Sequence, residues 1–521
     1  MKKIIYVCMA LIMFVTVAGC NGYLSNEEKD ETVVITKVPS DDVANVITVS
    51  VYNLDTFNPL ATNSPSVKDA MKFIYEPLFT HDENMNIVPV LADSYSVSPD
   101  GNSVDIKLRE DVLWHDGSQF TAADVNYTIK NLLSGSTTYG EAMGNISGCS
   151  VIDNYLIRIN MSKATPDVAS VLTFPILKNK TSMQPVDSYK PIGTGAFAYS
   201  GKISVDRYML VASDCYYKGK AKLSGVYIDV VPDERRYHTM FDSGNIDVCS
   251  SELLKNYEHT AKANINTNEY ITNELLYIGI NHNSAKLSDR NVRKAISAFV
   301  DRKAIEEYTM YSGVKATDTV INPVSEYSYS PKSNLKPDSV KGSEYLKAAG
   351  WIPQVMGYSK KVGGAEQKLN MALLVNSDNQ ADVKIAEKVK EKLMAGGIDI
   401  QLQNLNETAY NQRINAGNYD LYIGRKKMPT AMDVSGFLGS QNRFGYANPT
   451  IDIIMSEAAK EIDKEKIKEL YKQLYDVLSE DMPVVPLAYS KSVTYMSARI
   501  ENVSPMGMDG FYRDLQNWSI K

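Results

Sequence analysis

Histidines, cysteines and carboxylates are the side chains most often asked to do chemistry, and here their spacing argues against most of it. The five histidines stand at 81, 115, 238, 259 and 282, so everything beyond position 282 lacks the commonest general base. No GxSxG nucleophile elbow, HExxH metal motif or phosphate-cradling glycine loop occurs. Asp and Glu total 62, yet no spacing singles out an acid–base pair. The five cysteines (8, 20, 149, 215 and 249) form no CxxC motif and no Cys/His cluster, so they make no zinc site. Binding without turnover fits these residues better than catalysis, and no cofactor is called for.

Cys20 is the exception. It closes Val17-Ala18-Gly19-Cys20, behind Lys2, Lys3 and an apolar run from Ile4 to Ala18. A basic start followed by about 15 apolar residues reads as an export signal, too short and wrongly flanked for a stable spanning helix. Small residues directly before the cysteine resemble the bacterial lipobox. That resemblance implies a signal over 1–19, cleavage before Cys20 and lipidation of its thiol. The mature chain would sit on the outer face of a bacterial cell membrane, periplasmic where an outer membrane exists. Cys149, Cys215 and Cys249 then remain, an odd and widely spaced set with room for one bridge, with buried thiols the preferred reading.

Of 521 residues, 44% are hydrophobic and 22% charged, ordinary globular values with length enough for two or three lobes. Net charge is −7; without Lys2 and Lys3, 53 basic residues face 62 acidic ones, a net of −9. There is no basic stripe and no nucleic-acid motif, so no nucleic-acid partner is expected.

These features need elements to position them. Residues 20–45 are polar and aperiodic, a flexible stalk. Val46 to Val51 is a β-branched run suited to a buried strand. Ser98-Pro99-Asp100-Gly101 is a turn, and Val104, Ile106 and Leu108 then alternate as a half-buried strand. Thr121 and Asp124 predict a capping box, with Val125, Ile129, Leu132 and Leu133 on one helical face behind it. Later, Asp289 opens a helix that turns Val292, Ile296, Phe299 and Val300 inward. Leu369 to Val375 predicts a strand, Ile385, Val389 and Leu393 a helix closed by Gly396-Gly397, and Ile398 to Leu402 a second strand: a parallel βαβ unit. A helix over 407–416, a strand over 419–424 and a late helix through Ile467 and Leu478 extend it.

Leu108 to Gly117, ending Trp114-His115-Asp116-Gly117, and its continuation Phe120 to Tyr127 resemble the signature of the family 5 extracellular solute-binding proteins, the oligopeptide-, dipeptide- and nickel-binding receptors of ABC importers. Tyr75-Glu76-Pro77-Leu78, Gly193-Thr194-Gly195-Ala196-Phe197, Asp289 to Ile296 with Asp301-Arg302, Ala349-Gly350-Trp351 and Pro483 to Leu487 follow in the family's order. Most of these, Trp114, Tyr127 and Arg293 among them, read as scaffold. The resemblance implies a mixed α/β, two-lobed periplasmic-binding-protein-like fold with an inserted subdomain, closing about hinges. Lobe I would comprise 46–80, 192–280 and 490–521, the inserted subdomain 81–191, and lobe II 281–489. The hinge crossings would fall near 280–283 and 487–490. Its implied role is delivery of a peptide ligand to ABC permease subunits by a monomer held to the membrane through its N-terminal lipid. A nickel, metallophore or other small-solute receptor, and a surface signalling protein on the same scaffold, are the alternatives.

In peptide-binding members a Trp, an Asp three residues on and an acidic-Pro pair before Phe-Leu help hold the ligand. Counting back from Phe437-Leu438, Lys427 takes the Trp position, Thr430 the anchoring Asp and Asp433 the later acid. Three readings stay open. A local shift lets Asp433 hold a ligand ammonium; Arg425, Lys426 and Lys427 instead favour an anionic group; or these bases are a solvated loop. Tyr139 lies where peptide receptors place a cleft tyrosine. Tyr52, just after the first strand, faces either cleft or core.

Overall fold

The computed structural model describes residues 45–521 apart from 136–138, 140–142, 144, 165–166, 182–188, 253–264, 309–312, 331, 441 and 462. Cys20, the signal and nearly all of the stalk lie outside the described residues. Among those described, no helix is long and apolar enough to cross a membrane.

Two long strands, Ile265–Ile280 and Val484–Ser497, pair antiparallel at the centre of an 11-stranded sheet. On one side follow Val248–Glu252, Val46–Tyr52, Gly225–Val231, Arg207–Ala212 and Phe197–Ser204. On the other follow Leu421–Lys427, Asn370–Asn376 and Asp399–Leu405, and the eleventh strand, Val314–Ala316, pairs with Val484–Ser497 off this path. The long pair runs in register from Ile265↔Ser497 to Ile271↔Lys491, loses it, and resumes at Leu275↔Tyr489. Side chains fill this gap: Thr272 Oγ1 donates to the Ser490 carbonyl at 3.1 Å, and the Asn273 amide donates to the Met428 carbonyl at 2.8 Å. Pairing is thus weakest at 272–274, upstream of the crossing expected at 280–283.

Separate cores flank that gap. One gathers Ile47, Val51, Phe73, Trp114, Phe197, Leu210 and Trp518. The others gather Leu276, Ile278, Ile296, Leu373, Val389 and Ile423, and, on the opposite sheet face, Leu275, Tyr277, Leu374, Tyr422 and Leu474. Leu373 and Leu374 are both wholly buried, as expected for a strand covered on both faces. The expected βαβ unit is present: Asn370–Asn376, helix Gln380–Ala395, then Asp399–Leu405 pairing parallel with the first strand. Gly397 ends that helix at φ +85°, and the Ile398 N–H returns to the Leu393 carbonyl at 2.9 Å, a Schellman closure.

A second, four-stranded antiparallel sheet (Ala92–Val97, Ser103–Leu108, Leu156–Met161 and Ile146–Asp153) carries the helix Ala122–Leu133. Asp124 accepts from the Thr121 N–H at 2.8 Å, the carboxylate half of the capping box. Leu133 departs from expectation: it lies at the last turn and is 41% exposed, the buried stripe having ended at Leu132.

The signature residues here are structural. Trp114 is fully buried and donates its indole N–H to Asp124 at 3.3 Å. His115 Nδ1 accepts from the Gly193 N–H at 3.2 Å, and Nε2 lies 2.9 Å from the Gly195 carbonyl, the arrangement of a neutral ring. Burial accordingly holds His115 below its ordinary pKa. A Cβ on Gly195 would lie 2.7 Å from the Phe73 carbonyl oxygen, so this close approach requires glycine. Buried Glu76 accepts from Thr194, Tyr216 and Tyr217, fastening Tyr75-Glu76-Pro77 to the same loop. Arg293 is spent on main-chain carbonyls of Leu287, Ser288 and Asp481.

Candidate functional site

In open α/β sheets ligands collect at the carboxyl ends of parallel strands. Val46–Tyr52 runs parallel to both Gly225–Val231 and Val248–Glu252, so Tyr52, Val231 and Glu252 end along one edge. Leu421–Lys427 runs parallel to Asn370–Asn376, itself parallel to Asp399–Leu405, and these end at Lys427, Asn376 and Leu405.

A short helix, Pro65–Met71, packs on the Val46–Tyr52 strand of the first edge. Its Ser64 N-cap and Pro65 at the first turn set its start. Ser64 Oγ donates to the Tyr52 carbonyl at 2.6 Å, and the Tyr52 N–H donates to Ser66 Oγ at 2.9 Å. This binds the helix to the strand end and points Lys68 outward. The Lys68 ammonium stands 5.9 Å from the centre of the Tyr139 ring, whose edge packs on Phe174. Half-buried, Lys68 is held below the ordinary lysine pKa, first by burial and then by the charge of Lys427 on the opposite edge.

Arg425 lies two residues before Lys427 on the same strand and is fully engaged. Its Nη2 is 2.8 Å from Asp382 Oδ1 and its Nη1 is 2.6 Å from Glu274 Oε2, with Ser490 Oγ donating to Glu274 at 2.8 Å. Burial alone would lower the Arg425 pKa, but Asp382 and then Glu274 hold it above the usual range. Arg425 therefore braces the irregular 272–274 stretch from within. Lys427 sits beside Glu274 in register, yet Glu274 is taken. Among the described residues Lys427 has no ion-pair or hydrogen-bond partner, and its side chain is exposed.

Asp433 is occupied elsewhere. Its Oδ1 accepts from the Ser435 N–H at 2.9 Å, and Oδ2 lies 3.3 Å from Lys163 of the four-stranded subdomain. Tyr52 packs on Tyr237 at 5.4 Å, and its phenol is pushed up to about 12 by burial and then by Glu234. Tyr139, half-buried, is raised by burial alone.

The structure thus stands Lys68 over the Tyr139 ring, leaves Lys427 exposed at the end of the other edge, ties Tyr52 to the Lys68 helix, and binds Arg425 and Asp433 to protein partners. The strand expected over 419–424 spans Leu421–Lys427, because antiparallel pairing with Glu274–Ile280 carries it through all three bases. They are consequently not a loop. Lys68 and Glu274 were not singled out from sequence. For Lys68 a signal existed, since Ser64-Pro65 starts a helix directly behind the first strand; Asp382, 43 positions from Arg425, offers none.

Separate cores on either side of a weakly paired crossing, with charged side chains where strand ends face each other, define a two-lobed solute-binding protein. The model for "Bacterial extracellular solute-binding proteins, family 5 Middle" matches residues 86–443, and the chain belongs to this family, whose members are the binding proteins of ABC importers. The oligopeptide-binding protein AppA of Bacillus subtilis is 26% identical over 478 residues, 85% of this chain and 86% of that protein. The heme-binding protein A of Haemophilus influenzae is 24% identical over 472 residues, 82% and 84% of the two chains. The fold is shared with the crystal structure of a nickel ABC transporter protein from Bacillus halodurans, at a TM-score of 0.76 and 21% identity, covering 91% of this chain and all (100%) of that one.

Proposed function

We propose that this chain is a lipid-anchored receptor that binds peptides between its lobes and hands them unaltered to an ABC permease. One observation carries the peptide reading. The cleft-edge elements bear both signs of charge: Lys68 on the helix tied to the Tyr52 strand end, Lys427 at the end of the other edge, and Glu234 and Glu252 around Tyr52. A zwitterionic peptide presents both signs, and tyrosine faces suit its apolar side chains. The oligopeptide-binding relative favours the same class.

In this reading lobe I comprises 46–80, 192–280 and 490–521, the inserted subdomain 81–191, and lobe II 281–489. Closure bends residues 272–274 and Ser490, where the paired strands lose register. A metallophore is the second reading, favoured by the likeness to the nickel transporter protein and by ammonium groups that would suit a chelator's carboxylates.

Purified mature protein should be screened by thermal shift against peptides of two to eight residues, nickel with small chelators, and oligosaccharides. Peptide at 100 times its dissociation constant should stabilise the fold by about 2.7 kcal/mol. A response to nickel chelates alone would replace peptide with metallophore. Anchoring is checked separately: Cys20→Ala should release the protein from membranes, and continued retention would refute lipid attachment at that residue.

A further inference from the structure

The segment 428–435 follows the cleft strand Leu421–Lys427 and is held from three directions. The Met428 carbonyl accepts from the Asn273 amide at 2.8 Å, which ties it to the irregular stretch of the crossing. Tyr471 of helix Lys464–Asp481 donates its hydroxyl to the Met432 carbonyl at 3.2 Å. The third direction is the span 81–191. Lys163 Nζ donates to Asp433 Oδ2 at 3.3 Å and to Ser435 Oγ at 3.2 Å. Met85, on the turn joining Phe79–His81 to Ile87–Pro89, lines one cavity with Met428, Met432, Val434 and Ile321. Ala431 is 2% exposed and packs with the core of Phe73 and Trp114 rather than with those of Leu373 and Leu374. The turn at Gly101 lies equally near, for a Cβ there would stand 3.1 Å from the Ala459 carbonyl oxygen.

These contacts straddle the line along which the two lobes part. Trp114 shares one core with Phe73 and Phe197, so the span 81–191 moves with lobe I. Met432 and Val434 pack instead in the core of Leu374 and Tyr422, on the other side. Opening by a bend at 272–274 therefore pulls Lys163 off Asp433 and Met85 out of its cavity. An ion pair whose lysine is 51% exposed is weak by itself. Here it acts in parallel with an apolar contact on the same short segment, and only the ion pair is weakened by salt.

We propose that the inserted subdomain is a clasp on lobe II, with Lys163 and Met85 gripping 428–435. Part of the free energy of closure then comes from contacts between protein groups, and cargo supplies the rest. The clasp biases the lobes toward the closed arrangement and has to break before a guest can leave. This rests on the two-lobed fold and on no particular cargo.

Small-angle scattering from protein without any peptide tests it. Wild type should be compact at low salt, with a minor open fraction that grows as salt screens Lys163 from Asp433. Lys163→Met should raise that fraction about two- to fivefold at low salt and remove most of its salt dependence. Met85→Ser should raise it at either salt, and Lys163→Arg should behave as wild type. Lys163 is exposed and Met85 half-buried, so these variants keep the fold. If Lys163→Met and Met85→Ser scatter as wild type does at both salts, the clasp is overturned. The peptide reading would stand, since no peptide takes part.

Discussion

The inserted subdomain and the cleft edge make opposite use of their polar side chains. In the subdomain, Trp114, His115 and Asp124 spend every polar atom on one another or on neighbouring main chain, and Trp114 has no exposed surface. At the cleft edge, Lys68 and Lys427 keep their charges bare. Arg425, between the two extremes, sits on the cleft strand but is paired as fully as any subdomain residue. Saturated polar groups mark what holds the receptor together. Unsaturated ones mark what it has to offer a guest.

That contrast can be broken at several points. Trp114→Ala should have the largest effect, costing about 3–5 kcal/mol in chemical denaturation through the lost ring and its lost hydrogen bond to Asp124. Arg425→Met should follow at about 3 kcal/mol, since Asp382 and Glu274 would be left partly buried without their partner. If Arg425→Met proves stable but abolishes peptide binding, then Arg425 belongs with the bare lysines and the division made here is misplaced.

Acid should act on the scaffold side. Burial holds His282, whose Nε2 lies 3.0 Å from the Pro483 carbonyl, down to about 4 from the usual 6.5, and it lowers His115 as well. A depressed histidine pKa means that the unfolded chain takes up protons first. Stability is therefore full above pH 6.5 and falls as pH drops from there toward 4. His282→Gln should flatten part of that fall in a series of denaturation curves; an unchanged slope would remove His282 from the account. The smallest stability effects belong to the cleft. Lys427→Met should stay within about 0.5 kcal/mol of wild type while changing which peptides bind.

Much of the scaffold could be read in the residues. The alternation of Val104, Ile106 and Leu108, the Asp289 cap and the Gly396-Gly397 closure are local rules, and each is obeyed where it was expected. The crossing was less legible, because loss of register at 272–274 depends on what lies opposite in Val484–Ser497, not on the composition of the strand itself. The site was least legible. Whether a basic residue is bare or paired is decided by partners far away in sequence: Arg425 found Asp382 and Glu274, and Lys427, two residues on, found neither. Counting from Phe437 located the right strand end, but it could not show that Asp433 already meets Lys163 and the Ser435 N–H.

The central claim is that two lobes close around a bound peptide. Dyes placed through unnatural amino acids at Val205 and Val355, 79% and 104% exposed and in the proposed lobe I and lobe II, would report closure directly by energy transfer. The expected result is a shorter distance once a peptide is bound. A distance indifferent to every peptide would contradict the account.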